Sequence, residues 1–332
     1  MRKAMGKNMK KVRKLWCRVG CLMLCAALLC TGCSLGGDKE QTTTTLPITT
    51  TVPVTTTTRV PTTTQKAQAA TDILVNCPDG KVADAELVAR ISGVCRQLGT
   101  DVSIYYKDLK TGYTVEYRAD AEYQTASVIK APYVKYLLAS GVDRTEKLKS
   151  NTKQGGSGKV DASPLGTEFT VGELMEYAIR YSDNTAYYML NERFGFDGFM
   201  QYAQSIGVEL SLKLTFPRPR FGYLSARHAG LYFEDIAKYI ETGSEEAALL
   251  KSWLTETEET RQLPAAFPQY AVAHKYGEQG NQAYHDAAII YAKQPYVLTI
   301  LSTLPPYTAE SIDTFHEIAR LVDALQASFY TN

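Results

Sequence analysis

Two kinds of hydrophobic spacing alternate along this chain. In DAELVARISGVCRQL, residues 84–98, apolar positions recur every three or four residues and predict a helix. VSIYYKDL and YTVEYRA follow, two runs rich in β-branched and aromatic residues joined at Lys110-Thr111-Gly112, which reads as a hairpin. The middle third returns to helical spacing, and LGTEFTVGELMEYAIRY opens with a Thr-x-x-Glu capping box from Thr170 to Glu173. After Gln269 come three strand-like runs, YAVAHKYG, HDAAIIYA and YVLTILSTL, and a last helix, SIDTFHEIARLVDALQASF. Strands near both ends with helices between them predict an α+β fold: one antiparallel sheet built from the two ends of the chain, flanking helices, and a helical insertion over about 125–265. A site is expected in the cleft between sheet and insertion.

The first 69 residues follow neither period. The first twenty residues carry eight Lys or Arg and no acid, and the apolar run CLMLCAALLC comes next. These are the charged and apolar parts of a secretory signal, and about ten apolar residues fall short of the ~20 that span a bilayer. CTGCSLGG then resembles a bacterial lipobox with Cys33 as the lipidated residue, although Cys30 stands where Leu is usual. Residues 41–64, QTTTTLPITTTVPVTTTTRVPTTT, are too poor in apolar side chains to build a core and read as an extended tether. The expected organisation is a lipoprotein signal over 1–33, a tether over 34–69 and one globular domain over 70–332. Such a chain would be held at the outer face of a bacterial cytoplasmic membrane by the lipid on Cys33.

Charge and cysteine content fit export. The full chain has net charge +1, and losing the eight basic residues of the signal leaves −7, which argues against a nucleic-acid partner. Five of the seven cysteines lie in the signal, leaving Cys77 and Cys95. A helix over 82–98 would set Cys95 ~20 Å from the helix start, so free, buried thiols are expected rather than a disulfide.

Candidate chemistry starts at QTASVIKAPYVKYLL, residues 124–138. Ser127 and Lys130 lie three apart, on one face of a helix whose apolar run would fix it in a core. A desolvated Lys130 amine could take the Ser127 proton, and backbone N–H groups at the helix start could hold an oxyanion. The plainer alternative is a capping serine and a solvated lysine. A second Ser-x-x-Lys, Ser150-Asn151-Thr152-Lys153, falls in a polar, Gly-rich stretch with no predicted helix. Ser182-Asp183-Asn184 ends a predicted helix, and His274-Lys275-Tyr276-Gly277 lies on the first C-terminal strand.

In that order and spacing, Ser-x-x-Lys, Ser-Asp-Asn and Lys-x-Gly resemble the motifs of the penicillin-recognising serine hydrolases, above all class A β-lactamases, over residues 80–328. The resemblance implies the β-lactamase/transpeptidase-like fold, acylation of Ser127, Lys130 as base or proton relay, and Ser182 passing a proton to the leaving nitrogen. It also implies that Asn184 binds the substrate's acyl amide, that Lys275 with Gly277 attracts its carboxylate, and that the Ser127 and Glu278 N–H groups form the oxyanion hole. No metal or organic cofactor follows from it. The partner would be a β-lactam or a peptidoglycan stem peptide, and a monomer is expected. Lys110-Thr111-Gly112 spells the third motif too but precedes the nucleophile, so it is read as a turn. Asp183 is expected to be a structural hydrogen-bonder, His274 to face away from Lys275, and His285-Asp286 to be sheet residues rather than a dyad.

Two departures qualify the resemblance. Between Gly207 and Ser225 the one acid is Glu209, so the loop glutamate that activates water in class A enzymes has no counterpart; the loop offers Arg218, Arg220 and Tyr223 instead. Tyr276 replaces the family's Thr or Ser, which puts substrate choice in question.

Overall fold

The computed structural model describes residues 73–156, 158–209 and 221–331. The signal, Cys33, the tether, Arg218 and Arg220 lie outside them.

Along the chain, β1 (Leu74–Asn76) precedes α1 (Ala85–Leu98), whose N-cap Asp84 accepts the backbone N–H groups of Glu86 and Leu87. β2 (Val102–Asp108) and β3 (Thr114–Tyr117) form the predicted hairpin. At its tip the Asp108 carboxylate accepts the N–H groups of Lys110 and Thr111, so Lys110-Thr111-Gly112 is a turn. β4 (Glu122–Gln124) leads through a 3₁₀ turn, Ala126–Ile129, into α2 (Lys130–Ala139). β5 (Lys147–Lys149), α3 (Lys159–Ala162) and β6 (Glu168–Thr170) follow. Next come α4 (Val171–Arg180), α5 (Asn184–Phe194), α6 (Asp197–Ser205) and β7 (Tyr223–Ser225). After α7 (Ala226–Glu241), α8 (Glu245–Thr255) and α9 (Leu263–Ala266), the chain re-enters the sheet as β8 (Val272–Gln279), β9 (Ala283–Ile290) and β10 (Tyr296–Ser302). The last helix is α10 (Ala309–Ser328).

Six strands pair antiparallel in the order β1-β3-β2-β10-β9-β8. The first hairpin meets the C-terminal strands through β2 and β10, where Val102 faces Ser302 and Asp108 faces Tyr296. Alternation divides the core. Ile104, Tyr106, Leu298 and Ile300 pack with Ile91, Phe315, Ile318 and Val322 of α1 and α10. On the opposite face, Tyr105, Ala287, Ile289 and Val297 join Val134, Leu137, Phe233 and Ile236 of α2 and α7. Each large apolar side chain buried in this way contributes about 1.5–3 kcal/mol, so the sheet is fixed from both faces.

The helical middle holds two small sheets, β4–β7 and β5–β6, that hydrophobic spacing does not reveal. Three-residue strands are too short for a period of two to show. Of the two cysteines, Cys95 is buried as expected, but Cys77 is only half-buried, and both are free.

Candidate active site

The proposed nucleophile lies at a strained bend. Ala126 has φ 42°, a left-handed conformation that costs a non-glycine residue about 1 kcal/mol or more, and it turns the chain from β4 into the 3₁₀ turn. Ser127 follows, half-exposed. It caps nothing: the cap positions of the 3₁₀ turn and of α2 are Thr125 and Ile129. One turn on, Lys130 has 0% exposure, so the pairing of a capping serine with a solvated lysine does not describe this helix.

The Lys130 amine donates to the Ser182 carbonyl at 2.5 Å, to Asn184 Oδ1 at 2.7 Å and to Ser182 Oγ at 3.3 Å. The Tyr187 ring centroid is 5.8 Å away. Burial pushes the Lys130 pKa down to about 7, against the opposing pull of the Asp183 charge. An amine that is neutral in a good fraction of molecules can accept a proton, which an ordinary lysine near neutral pH cannot.

Ser182-Asp183-Asn184 forms the junction of α4 and α5. Ser182, with φ 52°, brings both its carbonyl and its hydroxyl toward Lys130. The buried Asp183 caps α5 through the Ala186 N–H and accepts the Val160 N–H at 2.7 Å, which ties down α3. It is a structural hydrogen-bonder. A Cβ at Gly158 would collide with its carboxylate, so glycine there lets the two segments close. Asn184 reaches across to the Gly155 carbonyl at 3.2 Å.

The third motif comes from the sheet edge. A Cβ on Gly277 would lie 3.1 Å from the Ser127 nitrogen, the Ala126 Cβ and the Val128 Cγ2, so glycine allows β8 to touch the nucleophile turn. Lys275 is fully buried and donates to the Tyr276 carbonyl at 2.9 Å. Its amine sits 3.6 Å from the centroid of the Tyr276 ring. Burial and the nearby Lys130 charge both push the Lys275 pKa well below the usual lysine range. Burial raises the pKa of the Tyr276 phenol to about 12. Glu278 is exposed, and partial burial with the Glu259 charge raises its pKa. Thus one place gathers Ser127, Lys130, Ser182, Asn184, Lys275 and Gly277.

Comparison with known proteins agrees with this geometry. The profile of the beta-lactamase enzyme family matches residues 86–326. The chain belongs to that family. It is a serine hydrolase with the class A β-lactamase fold. A β-lactamase of Mycobacterium tuberculosis is 27% identical over 241 residues, covering 66% of this chain and 78% of the relative. The carbapenem-hydrolysing β-lactamase KPC of Klebsiella oxytoca is 25% identical, covering 63% and 78%. Among solved structures, a PBP-A mutant captured as an acyl-enzyme complex with penicillin G superposes with a TM-score of 0.64 at 22% identity, over 73% of this chain and 96% of that one. The class A β-lactamase of Mycobacterium abscessus gives 0.60 at 21%, over 73% and 99%.

Within this β-lactamase-family domain, the remaining polar residues of the sheet stay out of the site. His285 donates from Nε2 to the Gln124 carbonyl and accepts the Ser302 N–H at Nδ1; burial holds its pKa at about 4. Asp286 turns the other way and takes His274 Nδ1 at 2.9 Å and the Leu263 N–H at 3.1 Å. His285 and Asp286 are therefore not a dyad, and the pair that exists, His274–Asp286, runs between β8 and β9 with Thr257 on His274 Nε2. Glu209 is exposed just beyond α6. Among the described residues, no group of three or more His, Cys, Asp or Glu side chains is placed to hold a metal ion.

Three features escaped the sequence reading: the close approach of Gly155, Gly156 and Gly158 to Asp183 and Asn184, the Tyr187 ring beside Lys130, and the stacking of Tyr276 on Lys275. The run Gly155-Gly156-Ser157-Gly158 was the available signal for the first, since repeated glycine marks close approach of backbone. No signal in the sequence carried the other two.

Proposed function

We propose that this chain forms an acyl-enzyme on Ser127 with β-lactams or D-Ala-D-Ala-type peptides and releases the acyl group slowly. The observation that carries the reading is the fully desolvated Lys130, held on both oxygens of Ser182 one helical turn from Ser127. In this reading Ser127 Oγ attacks the amide carbonyl while its proton passes to the neutral Lys130 amine. The amide C–N bond then breaks, and the Ser182 hydroxyl relays the proton to the leaving nitrogen. The Ser127 and Glu278 N–H groups hold the oxyanion, Asn184 takes the acyl amide, and Lys275 with Gly277 forms the wall on the β8 side.

Slow release follows from the loop. Hydrolysis of the ester needs a base for water, and losing such a base costs ~10² to 10⁴ in rate. The single acid between Gly207 and Ser225, Glu209, is solvent-exposed. The same reading takes Cys33 as the lipid anchor and residues 34–69 as a tether holding a monomeric domain at the envelope; Cys33→Ala should then release the protein from the membrane fraction.

The test is an intact-mass time course of the full chain with a penicillin. A persistent adduct mapped to Ser127 is expected, and efficient, Ser127-dependent hydrolysis of several penicillins would refute slow release. That second outcome would favour a true β-lactamase in which Lys130, neutral in part, also activates water; turnover should then survive Glu209→Gln and be lost in Lys130→Ala. Normal ligand binding by Ser127→Ala, with no adduct in the wild type, would instead mark a binding module.

A further inference from the structure

Tyr276 hides the cation that an anionic substrate would need. The Lys275 amine has no exposed surface: it is spent on the Tyr276 carbonyl and covered by the Tyr276 ring face. An aromatic face satisfies an ammonium in place of water or a carboxylate. Lys130, the other cation of the site among the described residues, is equally buried and engaged with Ser182 and Asn184.

The surroundings of Tyr276 carry the opposite sign. Glu258, Glu259 and Glu278 all act electrostatically on its phenol, and Glu258 and Glu278 are exposed. Arg261 is committed to Glu259 in a bidentate pair and lies 3.9 Å from the Tyr307 ring centroid. A substrate carboxylate arriving here would meet acidic side chains at the surface and an aromatic ring over the nearest amine. Desolvating that carboxylate without a paired cation is unfavourable.

We propose that Tyr276 is the specificity-determining residue of the site, and that it selects acyl donors with no carboxylate beside the scissile bond. The inference rests on the acyl-serine reading above and ranks its substrates: the carboxylate-bearing penicillins and D-Ala-D-Ala-type peptides acylate Ser127 slowly, and uncharged amides and esters are the preferred donors. Lys275 then serves to position Tyr276 rather than to bind an anion.

The test compares two acylating probes, penicillin G and its uncharged methyl ester, by the rate of Ser127 adduct formation in the full chain. In the wild type the ester should react about tenfold faster or more, since one charged hydrogen bond is worth that much. Tyr276→Thr should raise the rate of the free acid by about tenfold to a hundredfold, leave the ester nearly unchanged and so reverse the preference. Tyr276→Phe should keep the wild-type preference, because the ring, not the hydroxyl, covers Lys275. Faster reaction of the free acid in the wild type would overturn the inference, as would an unchanged ratio in a Tyr276→Thr protein of normal melting temperature. If Tyr276→Thr fails to fold, the wild-type ratio alone decides. No Ser127 adduct with either probe would overturn the acyl-serine reading itself, and this inference with it.

Discussion

Ser127–Lys130 and Ser150–Lys153 have the same spacing and opposite surroundings. The first pair spans a 3₁₀ turn and the start of α2, with Lys130 fully buried and its amine donating to Ser182 and Asn184. The second runs in irregular chain beyond β5, where Ser150 is buried with its hydroxyl unpartnered and the exposed Lys153 donates to the Asp161 carbonyl at 2.6 Å. In helical geometry residues three apart share a face; in extended chain they lie ~10 Å apart, and the lysine stays in water. The spacing is common to both pairs, and desolvation is what separates a base from a surface cation.

The comparison can be broken most severely at the lysines. Lys130→Ala should lower the rate of Ser127 acylation by ~10² to 10⁴, whereas Lys153→Ala should leave it within about twofold; similar losses in both would mean that burial is not the deciding property. Acid should have the next largest effect. Because the Lys130 pKa lies near 7 rather than 10.5, protonation below that point removes the base. Acylation should therefore rise about tenfold per pH unit up to ~7 and then level off. Stability should follow the same group: between about 7 and 10.5 the unfolded chain holds a proton on Lys130 that the folded chain lacks, so this residue makes folding more favourable as pH rises through that window.

A third substitution works through the frame around Lys130. Asp183→Ala leaves the Val160 and Ala186 N–H groups without their acceptor and should cost about 1–3 kcal/mol, read as a lower midpoint in chemical denaturation. It also removes the charge that holds the Lys130 pKa up, so the pH profile of acylation should shift to lower pH. The smallest effect belongs to the other serine. Ser150→Ala discards a buried hydroxyl that has no partner and should change stability by no more than about 0.5 kcal/mol, with acylation untouched.

Much of this arrangement was legible before the structure. Long elements with clear periods, α1, α4, α10 and β8 to β10, lie within a few residues of where hydrophobic spacing puts them, because burial of one face dictates both pattern and element. The capping box at Thr170 and Glu173 forms as read. The three motifs were legible as residue types at fixed places, and their meeting at one point follows from the sheet joining both ends of the chain. Short strands were hidden, since β4 to β7 gain their order from partners distant in sequence. Side-chain pairings across elements were hidden for the same reason. His274 was expected to face away from Lys275, but its partnership with Asp286 depends on the register of β8 against β9. Tyr276 was visible as a departure from the family pattern; only its position over Lys275 turns that departure into a statement about substrate charge.

The central claim is that Lys130 is a desolvated amine, neutral in about half of the molecules near pH 7. Its most direct test is an NMR titration of the protein with ¹³C-labelled lysine side chains, the Lys130 signal assigned by its absence in Lys130→Ala. A midpoint near 7 is predicted for Lys130. A Lys130 that stays protonated to pH ~10 would contradict the account, because burial would then not make it a base.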